Sequence, residues 1–400
     1  MYNILIINAG SSSLKYQLFE IESSEIIAKG LAERIGIEGS MLTHAAKDKE
    51  KLVITEPMPS HMEAMKLVLK ALTDPEYGVI KDMNEINAVG HRVLHAADKF
   101  TQSVIINDDV IDAIRDCIKF GPLHNPANLM GIEACRANMP GTPMVAVFDT
   151  AFHQTMPRKA YLYGLSYEAY SKYGIRRYGF HGTSHKYLSA RFPKLIGRDK
   201  KDLKFVTCHL GNGSSMCAID GGKCVDTSMG LTPLAGVPMG TRCGDIDPAI
   251  VTYLMKEMNL SPDEMSNYMN KKCGMLGLSG VSSDFRDLWD AATNNNNERA
   301  RIALEVFCYN VKKYIGAYAA AMGGLDGIVF SGGIGENDAR VRRLCTEGLE
   351  FLGAKMDPER NNVRGKDARL STDDSKVEIW CVPTNEEYEI AQETYELCCK

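Results

Sequence analysis

Apolar and polar residues alternate along this chain in short segments that end in glycine and serine. The first segment, Asn3 to Ile21, reads NILIINAGSSSLKYQLFEI, and its alternation predicts two antiparallel strands joined at the glycine–serine turn. The second segment, Lys204 to Asp226, reads KFVTCHLGNGSSMCAIDGGKCVD and predicts three strands with two turns. Ser12–Ser13 and Ser214–Ser215 occupy matching places in these hairpins, so the pattern favours two related domains built from one unit.

Helical periodicity alternates with short apolar strands elsewhere in the chain, which favours an α/β architecture. A buried strand is predicted within Pro143 to Phe152, ending at Asp149. A helix over Arg299 to Met322 is predicted to stop before Gly323 and to turn inward a face made of Ala303, Phe307, Tyr314, Ala317 and Ala321. The stretch DGIVFSGGIGEN predicts a strand and a glycine turn, followed by a helix with apolar positions Val341, Leu344, Cys345, Leu349 and Leu352.

The composition is that of an ordinary globular protein and narrows the range of partners. A length of 400 residues suggests two or three domains, with 44 % hydrophobic and 24 % charged residues. The formal net charge of −5 argues against a general nucleic-acid binder, which needs clustered lysine and arginine. No apolar run reaches the roughly 18 residues of a membrane span, and MYNILIIN lacks the basic region of a signal peptide. We therefore expect a cytoplasmic protein with neither nucleic acid nor membrane as a partner.

The twelve cysteines are scattered from Cys117 to Cys399 without a CxxC pair. This spacing is typical of free thiols in a reducing compartment rather than of a disulfide framework or a zinc knuckle.

Glycine-rich turns after apolar strands offer backbone amides that can cradle an anion. One is HLGNGSS, His209 to Ser215, and another is GGIGEN, Gly332 to Asn337. Any single glycine turn is equally well explained as a change of chain direction, but three such turns in one chain favour a nucleotide. Neither GxxxxGK[ST] nor GxGxxG after the first strand is present, so a P-loop or Rossmann site is not expected.

Four polar side chains stand out by their positions. Asn8 and Asp149 lie where buried strands end, the usual place for ligand groups in α/β folds. A carboxylate there can hold Mg²⁺ against phosphate oxygens, although capping of the following turn explains Asp149 as well. Arg92 lies among apolar residues in HRVLH, and Arg242 lies between glycines in MGTRCGD. Such arginines are suited to an anion, with a solvated loop arginine as the alternative.

The stretch RYGFHGTSH, Arg177 to His185, places two histidines four residues apart. It lacks the glutamate of HExxH, and its internal glycine argues against a continuous zinc-binding helix. We interpret residues 179 to 182 as a loop that directs His181 into a cleft, with Thr183–Ser184 starting the next helix. A donor there would suit the negative charge that develops in phosphoryl transfer. Hydrogen bonding to the backbone is the structural alternative for both histidines, and the stronger one for His185.

Ten motifs in order from Asn8 to Ala391 make the chain resemble the acetokinase family: NAGSSSLKYQLF, HRVLHA, GPLHNPAN, FDTAFHQTMP, RRYGFHGTSHKY, CHLGNGSS, DTSMGLTPLAGVPMGTRCGDIDPA, GLSGVSSDFRDL, FSGGIGEN and TNEEYEIA. Some are weak singly, but their joint order is specific.

The resemblance implies a fold and an organisation into domains. The expected fold is α/β, with two related ribonuclease H-like domains of the sugar kinase/Hsp70/actin superfamily closing over a central cleft. Residues 1–150 with 385–400 would form an N-terminal domain on the acyl and Mg²⁺ side, and residues 151–384 would form a C-terminal nucleotide-binding domain. A homodimer is also implied.

The activity implied by the resemblance is reversible transfer of a phosphoryl group between ATP and acetate, giving acetyl phosphate and ADP. Mg²⁺, for which Mn²⁺ could substitute, would be held by Asn8 and Glu386. The catalytic set would be Arg92, Asp149, His181 and Arg242, with His124 as a further donor on the phosphate side. Asp149 is awkward as a general base, because acetate is already ionised near pH 7, and orienting the metal or the nucleophile is the more plausible role.

The resemblance also assigns the substrate contacts. The nucleotide would meet Lys15, His209, Leu210, Gly211, Asn212, Gly213, Asp284, Phe285, Arg286, Gly332, Gly333, Ile334, Gly335 and Glu336. The acyl pocket would comprise Arg92, Leu94, Leu123, Phe180 and Pro233.

The chain departs from the family pattern at two places. Cys243 stands where the family commonly has serine, and Phe120–Gly121 stands where Leu-Ala is usual. Cys243 suggests that oxidation or alkylation beside Arg242 would inhibit the protein. A propionate or butyrate kinase is an alternative, since one methylene in an apolar pocket is worth only roughly 1–3 kcal/mol. A non-catalytic ATP-binding module of the actin or Hsp70 kind is another, but it has no need for Arg92, His181 and Arg242 together.

Overall fold

The computed structural model describes residues 1–122 and 124–399. Its strands, in chain order, are β1 Asn3–Gly10, β2 Ser13–Glu20, β3 Glu25–Glu33, β4 Met41–Ala46, β5 Leu52–Ile54, β6 Ile86–Val93, β7 Val104–Ile105, β8 Met144–Phe148, β9 Lys204–Leu210, β10 Ser214–Asp220, β11 Lys223–Thr227, β12 Gly327–Ser331, β13 Ala368–Arg369 and β14 Glu378–Cys381.

The α-helices, in chain order, are α1 His61–Leu72, α2 Asp108–Asp116, α3 Asn125–Asn138, α4 Arg158–Tyr161, α5 Tyr167–Tyr173, α6 Gly182–Ile196, α7 Ala249–Glu257, α8 Pro262–Lys271, α9 Gly274–Ser279, α10 Phe285–Thr293, α11 Glu298–Met322, α12 Gly332–Asn337, α13 Ala339–Thr346 and α14 Glu386–Cys398. Short 3₁₀ helices occupy Met83–Glu85, Ala151–Thr155, Lys200–Asp202 and Glu350–Leu352. No helix in the described part of the chain has both the length and the apolar character to cross a membrane.

The chain separates into two compact units, one made of Met1–Phe152 with Asn385–Lys400 and the other of His153–Thr384. In the first unit the strands form a mixed sheet in the order β5-β4-β3-β2-β1-β6-β8-β7. Within β1 the run from Ile4 to Ile7 is apolar without a break because helices cover both faces of the strand. Leu5 and Ile7 belong to the core cluster that includes α1 and α3 residues. Ile4 and Ile6 belong to the cluster on the other face, which includes Ile390 of α14.

In the second unit the sheet order is β11-β10-β9-β12-β14-β13. Successive side chains of β9 point to opposite faces of the sheet and therefore contact different elements. Val206, Cys208 and Leu210 join a core cluster with Phe307 of α11. Phe205, Thr207 and His209 point to the opposite face, where Phe205 packs against Phe192 of α6 with ring centroids 5.0 Å apart. The polar positions of this strand therefore face the helix that follows the RYGFHGTSH loop.

The two units repeat one strand plan. In the first, β3-β2-β1 are antiparallel neighbours and β1-β6-β8 are parallel. In the second, β11-β10-β9 are antiparallel and β9-β12-β14 are parallel. The doubled hairpin of the sequence is thus part of a doubled five-strand core, and the α/β fold with two related units is confirmed.

Three local predictions are wrong. Ala317 and Ala321 of α11 are exposed, and the buried stripe instead includes Leu304, Val311 and Ile315. The GGIGEN stretch is the short helix α12 rather than a turn. The helix α13 ends at Thr346, so Leu349 and Leu352 lie beyond it, Leu349 as the N-cap residue of the following 3₁₀ helix and Leu352 as its last residue. In each case packing against the sheet, which local periodicity does not encode, sets the phase or the end of the helix.

Candidate functional site

In the first unit, an arginine–carboxylate pair joins two neighbouring parallel strands. Arg92 lies near the end of β6, and Asp149 directly follows β8. Arg92 Nε donates to Asp149 Oδ1 at 2.8 Å, and Nη2 donates to Oδ2 at 2.7 Å. The Asp149 side chain is 1 % exposed and that of Arg92 is 25 % exposed. This two-point pair fixes the plane of the guanidinium group, and the Asp149 charge raises the pKa of Arg92 further.

An amide side chain, two carboxylates and a second ion pair belong to the same unit as this arginine. Asn8 on β1 lies opposite Lys15 on β2. Lys15 Nζ contacts Glu387 Oε1 at 2.9 Å, so the ammonium group is engaged within the protein. Burial raises the pKa of Glu387, but Lys15 outweighs it and the net shift is downward. Glu386 and Glu387 lie in the first turn of α14, and both raise the pKa of Arg92. Glu386 was predicted from the sequence and Glu387 was not, although the acidic residues of the first helical turn are adjacent in the sequence.

The expected acyl contacts of the first unit are only partly visible. The Leu94 side chain is buried, and its backbone N–H donates to Asn128 Oδ1 at 3.0 Å. A Cβ at Gly121 would lie 2.9 Å from Leu94 Cδ2, so the glycine that departs from the family pattern leaves room for this side chain. His124 is the N-cap residue of α3. Leu123 lies outside the described residues.

In the second unit, His181 lies directly before α6 in the left-handed region, with φ +55°. This conformation is uncommon for a residue with a side chain, and such positions concentrate at functional sites. His181 Nδ1 is 2.8 Å from Ser215 Oγ, and Ser215 Oγ is 2.7 Å from His185 Nε2. The ring centroids of His181 and His209 are 4.3 Å apart. One face of the second unit therefore carries a hydrogen-bonded histidine cluster.

The hairpin turn between β9 and β10 lies beside this cluster. A Cβ at Gly213 would lie 3.5 Å from His181 Nε2 and 3.6 Å from Arg242 Nη1, so the imidazole and the guanidinium flank one point of the turn. Arg242 Nη1 also donates to the Pro233 carbonyl at 3.0 Å. Within the described residues no carboxylate forms an ion pair with Arg242, and burial lowers its pKa. A half-buried cation with no anionic partner in its own unit is suited to an anionic ligand.

Burial determines the protonation state of His185, the second histidine of the RYGFHGTSH stretch. Burial lowers the pKa of His185 well below its usual value, with smaller effects of the same sign from His153 and His209. His185 is therefore neutral, and its Nδ1 lies 2.7 Å from Thr207 Oγ1. The His185 ring therefore contacts two side-chain hydroxyls rather than the backbone groups that the structural alternative named, and it holds Ser215 against His181. Ser215 was not predicted as a site residue, and its position in the hairpin was the only signal that pointed to it.

A cavity of about 530 Å³ in the second unit is lined in part by six expected nucleotide residues from three stretches of the chain. Its lining comprises Asn212, Ser283, Asp284, Phe285, Arg286, Gly333, Ile334, Asn337, Asp338, Arg340 and Arg364. Gly332, with φ +75°, allows α12 to approach β9, because a Cβ there would lie 2.7 Å from the Leu210 carbonyl oxygen. Glu336 is engaged internally, accepting the Gly332 N–H at 2.8 Å.

Three lining or supporting residues of this cavity were not found from the sequence. Trp289 Nε1 donates to Asp338 Oδ2 at 2.7 Å, and the Arg340 guanidinium lies 4.2 Å from the centre of the Trp289 ring. Asp338 also caps α13. Trp289 lies in α10, whereas Asp338 and Arg340 lie at the start of α13 directly after the GGIGEN stretch, so that neighbouring motif was the one signal that could have found these two.

The predicted residues thus form two groups, each within its own unit. The first holds Asn8, Lys15, Arg92, Leu94, His124, Asp149 and Glu386, and the second holds Phe180, His181, His209–Gly213, Pro233, Arg242, Asp284–Arg286 and Gly332–Glu336.

Comparison with known proteins places these groups in context. The model of the acetokinase family matches residues 3–392. An acetate kinase of Thermoanaerobacterium thermosaccharolyticum is 61 % identical over 391 residues, covering 98 % of each chain. The crystal structure of Porphyromonas gingivalis acetate kinase matches with a TM-score of 0.95 at 47 % identity, covering 99 % of this chain and 100 % of that one. A propionate kinase structure from Francisella tularensis matches with a TM-score of 0.92 at 39 % identity, with the same coverage. The expected acetokinase family and the α/β fold with two sheets are confirmed.

Proposed function

The chain belongs to the acetokinase family, and we propose from this premise that it transfers a phosphoryl group reversibly between ATP and acetate. The products in one direction are acetyl phosphate and ADP, and the transfer is direct and in line. The activity is that of an acetate kinase, a phosphotransferase with a carboxyl group as acceptor, the activity named for relatives 57–61 % identical over nearly the full chain.

The observation that carries the proposal is the pair of donors beside Gly213. His181 Nε2 and Arg242 Nη1 flank the same point of the β9–β10 turn. Phosphoryl transfer spreads negative charge over the equatorial oxygens of the transferring group, and fixed donors aimed at those oxygens lower the barrier. The Ser215 contact at Nδ1 fixes the imidazole so that the opposite nitrogen is directed to the turn. We assign His181 and Arg242 to the transferring phosphoryl group.

The first unit is proposed to supply the carboxylate side of the reaction. Arg92 would bind the acetate carboxylate, which is already ionised near neutral pH and needs no base. Asp149 would then act as a positioning residue, because its two hydrogen bonds fix the guanidinium plane that the substrate meets. His124, as the N-cap residue of α3, is assigned to the phosphate side.

The oxygen atoms near Arg92 fit a hard divalent cation. Asn8 and Glu386 would hold Mg²⁺, or Mn²⁺ in its place, since carboxylate and amide oxygens are the ligands these ions prefer. When bound, the ion supplies positive charge that offsets the charge of the nucleotide phosphates. Lys15 is assigned to the phosphates too, and it would have to exchange Glu387 for them.

The nucleotide is assigned to the second unit. Its cavity of about 530 Å³ is within the size range of ligand pockets and contains Asn212, Asp284 to Arg286, and Gly333–Ile334. The open space at Gly333, where a Cβ would meet nothing within 4 Å, leaves the backbone of α12 accessible to phosphate oxygens. The N-terminal domain, 1–150 with 385–400, would thus carry the acyl and Mg²⁺ groups, and 151–384 the nucleotide.

Propionate is the second candidate acceptor, because the chain is also similar to a propionate kinase. Leu94, Phe180 and Pro233 are assigned to the methyl pocket, together with Leu123. A homodimer and a cytoplasmic location are further parts of the proposal. Within the described residues every cysteine is a free thiol, which suits a reducing compartment.

The test is hydroxamate formation from acetate, propionate or butyrate with Mg-ATP and hydroxylamine, on wild type, His181→Ala and His181→Gln. We expect acetate to give the highest kcat/KM, and His181→Ala to lose roughly a hundredfold or more in kcat. The glutamine amide can replace the donor, so His181→Gln should retain more activity than His181→Ala. A preference for propionate or butyrate would overturn the acyl assignment alone. If no hydroxamate forms while ATP still binds, the proposed kinase activity is refuted and a non-catalytic nucleotide-binding module is favoured.

A further inference from the structure

A histidine and two cysteines lie together in the interior of the second unit, and none of the three is assigned to a substrate. His153, Cys217 and Cys224 are each fully buried. Their ligand atoms all lie within 4.8 Å of one another. His153 Nδ1 is 3.2 Å from Cys224 Sγ and 3.9 Å from Cys217 Sγ. Two soft sulfur atoms and one imidazole nitrogen thus converge on one point.

The sheet brings the two thiols together. Cys217 lies on β10 and Cys224 on β11, where Cys224 pairs with Ile219. Alternation along β10 puts Cys217 on the same face as Ile219, and paired residues share a face, so both sulfur atoms project to one side. The 3₁₀ segment with His153 is fixed to β11, because Thr155 Oγ1 donates to the Cys224 carbonyl at 2.7 Å. The cluster is therefore held by three separate backbone segments.

The second ring nitrogen of His153, Nε2, contacts a backbone carbonyl, as is common for histidines that bind metals. His153 Nε2 lies 2.9 Å from the Phe180 carbonyl oxygen, which can only accept, so Nε2 carries the proton. The lone pair of Nδ1 is consequently directed at the sulfur atoms. Donation of the other N–H to a backbone carbonyl is the usual way in which a ligating histidine is oriented.

We propose that His153, Cys217 and Cys224 form a binding site for a thiophilic divalent cation, with Zn²⁺ as the ion that fits best. Tetrahedral zinc with Zn–S of about 2.3 Å and Zn–N of about 2.05 Å places N and S about 3.6 Å apart. The two observed N–S separations, 3.2 and 3.9 Å, lie on either side of that value. Two thiolates and one neutral imidazole also cancel the charge of a divalent ion, which matters in an interior without solvent.

Binding releases two protons, one from each thiol, as two Zn–S bonds and one Zn–N bond form. A fourth ligand is available from the backbone, since the Asp226 carbonyl oxygen lies 3.5 Å from Cys224 Sγ. The site adjoins the RYGFHGTSH loop through the Phe180 carbonyl and through Gly179, where a Cβ would lie 2.7 Å from His153 Cδ2. The ion would therefore stiffen the segment that precedes His181. This inference does not depend on the proposed function.

The first test is metal content and cobalt spectroscopy on the full-length protein. Protein freed of metal with a chelator is loaded with Zn²⁺ or Co²⁺, freed of excess ion, and measured by mass spectrometry for stoichiometry and by absorption for thiolate-to-cobalt charge transfer. The variants are Cys224→Ser and His153→Gln. The matched control is Cys345→Ala, which alters another buried cysteine with a cysteine neighbour, Cys308. Cys398→Ser/Cys399→Ser removes the adjacent pair near the end of the chain as a source of adventitious binding.

We expect one Zn²⁺ per wild-type chain and a charge-transfer band, both kept in the two controls. Cys224→Ser should lose affinity by more than the roughly 10–100-fold that loss of an outer-shell partner costs. No stoichiometric binding to wild type would overturn the proposal, as would binding that survives Cys224→Ser or disappears with Cys398→Ser/Cys399→Ser.

A second measurement applies if Cys224→Ser does not fold. X-ray absorption of zinc-loaded wild type should show two sulfur neighbours with the remaining ligands nitrogen or oxygen. A shell of nitrogen and oxygen alone would overturn the assignment.

Discussion

Gly213→Ala is the smallest change that tests where the transferring phosphoryl group lies. The glycine occupies the β9–β10 turn, and its φ is outside the left-handed region, so alanine is conformationally acceptable there. The added carbon would lie 3.5 Å from His181 Nε2 and 3.6 Å from Arg242 Nη1. Both are ordinary van der Waals distances, so the fold has no reason to adjust.

The substrate has less room. An oxygen that accepts from both donors must come within about 2.7–3.1 Å of each, and on the Gly213 side that position overlaps the new methyl group. Loss of one such donor typically costs roughly 10²–10³ in kcat, so we expect a fall of at least roughly a hundredfold. Stability should move the other way, rising by roughly 0.4–1 kcal/mol, because alanine restricts the unfolded chain. An inactive but slightly more stable Gly213→Ala variant is therefore the result expected if the phosphoryl group lies between His181 and Arg242.

The assay is kcat for hydroxamate formation, with urea unfolding for stability. Gly316→Ala on α11 is the matched control, since its Cβ would meet nothing within 4 Å and it lies outside the site. It should gain roughly 0.8–1 kcal/mol from helix propensity and keep wild-type kcat. If Gly213→Ala also keeps wild-type kcat, the reacting phosphoryl group does not lie between His181 and Arg242, and their roles must be withdrawn.

Four further predictions follow from individual groups. Asp149→Asn should weaken the bidentate pair with the quarter-exposed Arg92 and lower the free energy of unfolding in urea by about 3 kcal/mol. The KM for acetate should rise more than the KM for ATP, and an unchanged KM for acetate would refute the positioning role of Asp149. Burial lowers the pKa of His91 to about 3, whereas unfolded histidine titrates near 6.5. Its contribution to the free energy of unfolding is therefore complete above about pH 6.5 and falls by about 1.4 kcal/mol per pH unit as pH falls towards 3. Because buried His185 contributes a slope of the same sign, His91→Leu should reduce the slope by that amount, and an unaltered slope would refute the assignment. Arg286→Ala should raise KM for ATP several-fold without changing the melting temperature, because this exposed side chain lines the cavity; equal KM values would exclude it from the nucleotide site. Burial raises the pKa of Cys243 to about 11, so only roughly one thiol in a thousand is ionised at pH 8. Iodoacetamide should therefore leave both this thiol and the activity largely intact. Rapid alkylation of Cys243 with loss of activity would contradict this prediction and support inhibition by modification of that thiol.

Local sequence determined the hairpins and the family. In β1–β2 and β9–β11 the period-two alternation and the glycine–serine turns act between neighbouring residues, so the strands could be placed from the printed sequence alone. The order of ten motifs identified the family because each motif is a short, local signature. Six of the fourteen expected nucleotide residues line one cavity.

Tertiary structure decided the contacts that give those residues their chemistry. Arg92 and Asp149 are 57 residues apart and meet only because β6 and β8 are parallel neighbours. His153 meets its two cysteines across 64 and 71 residues, so their spacing resembled no metal motif. Local alternation fixes which face of a strand a side chain occupies, but not which strand or helix lies against that face. That choice depends on burial of the whole sheet, and it decides which polar groups become partners.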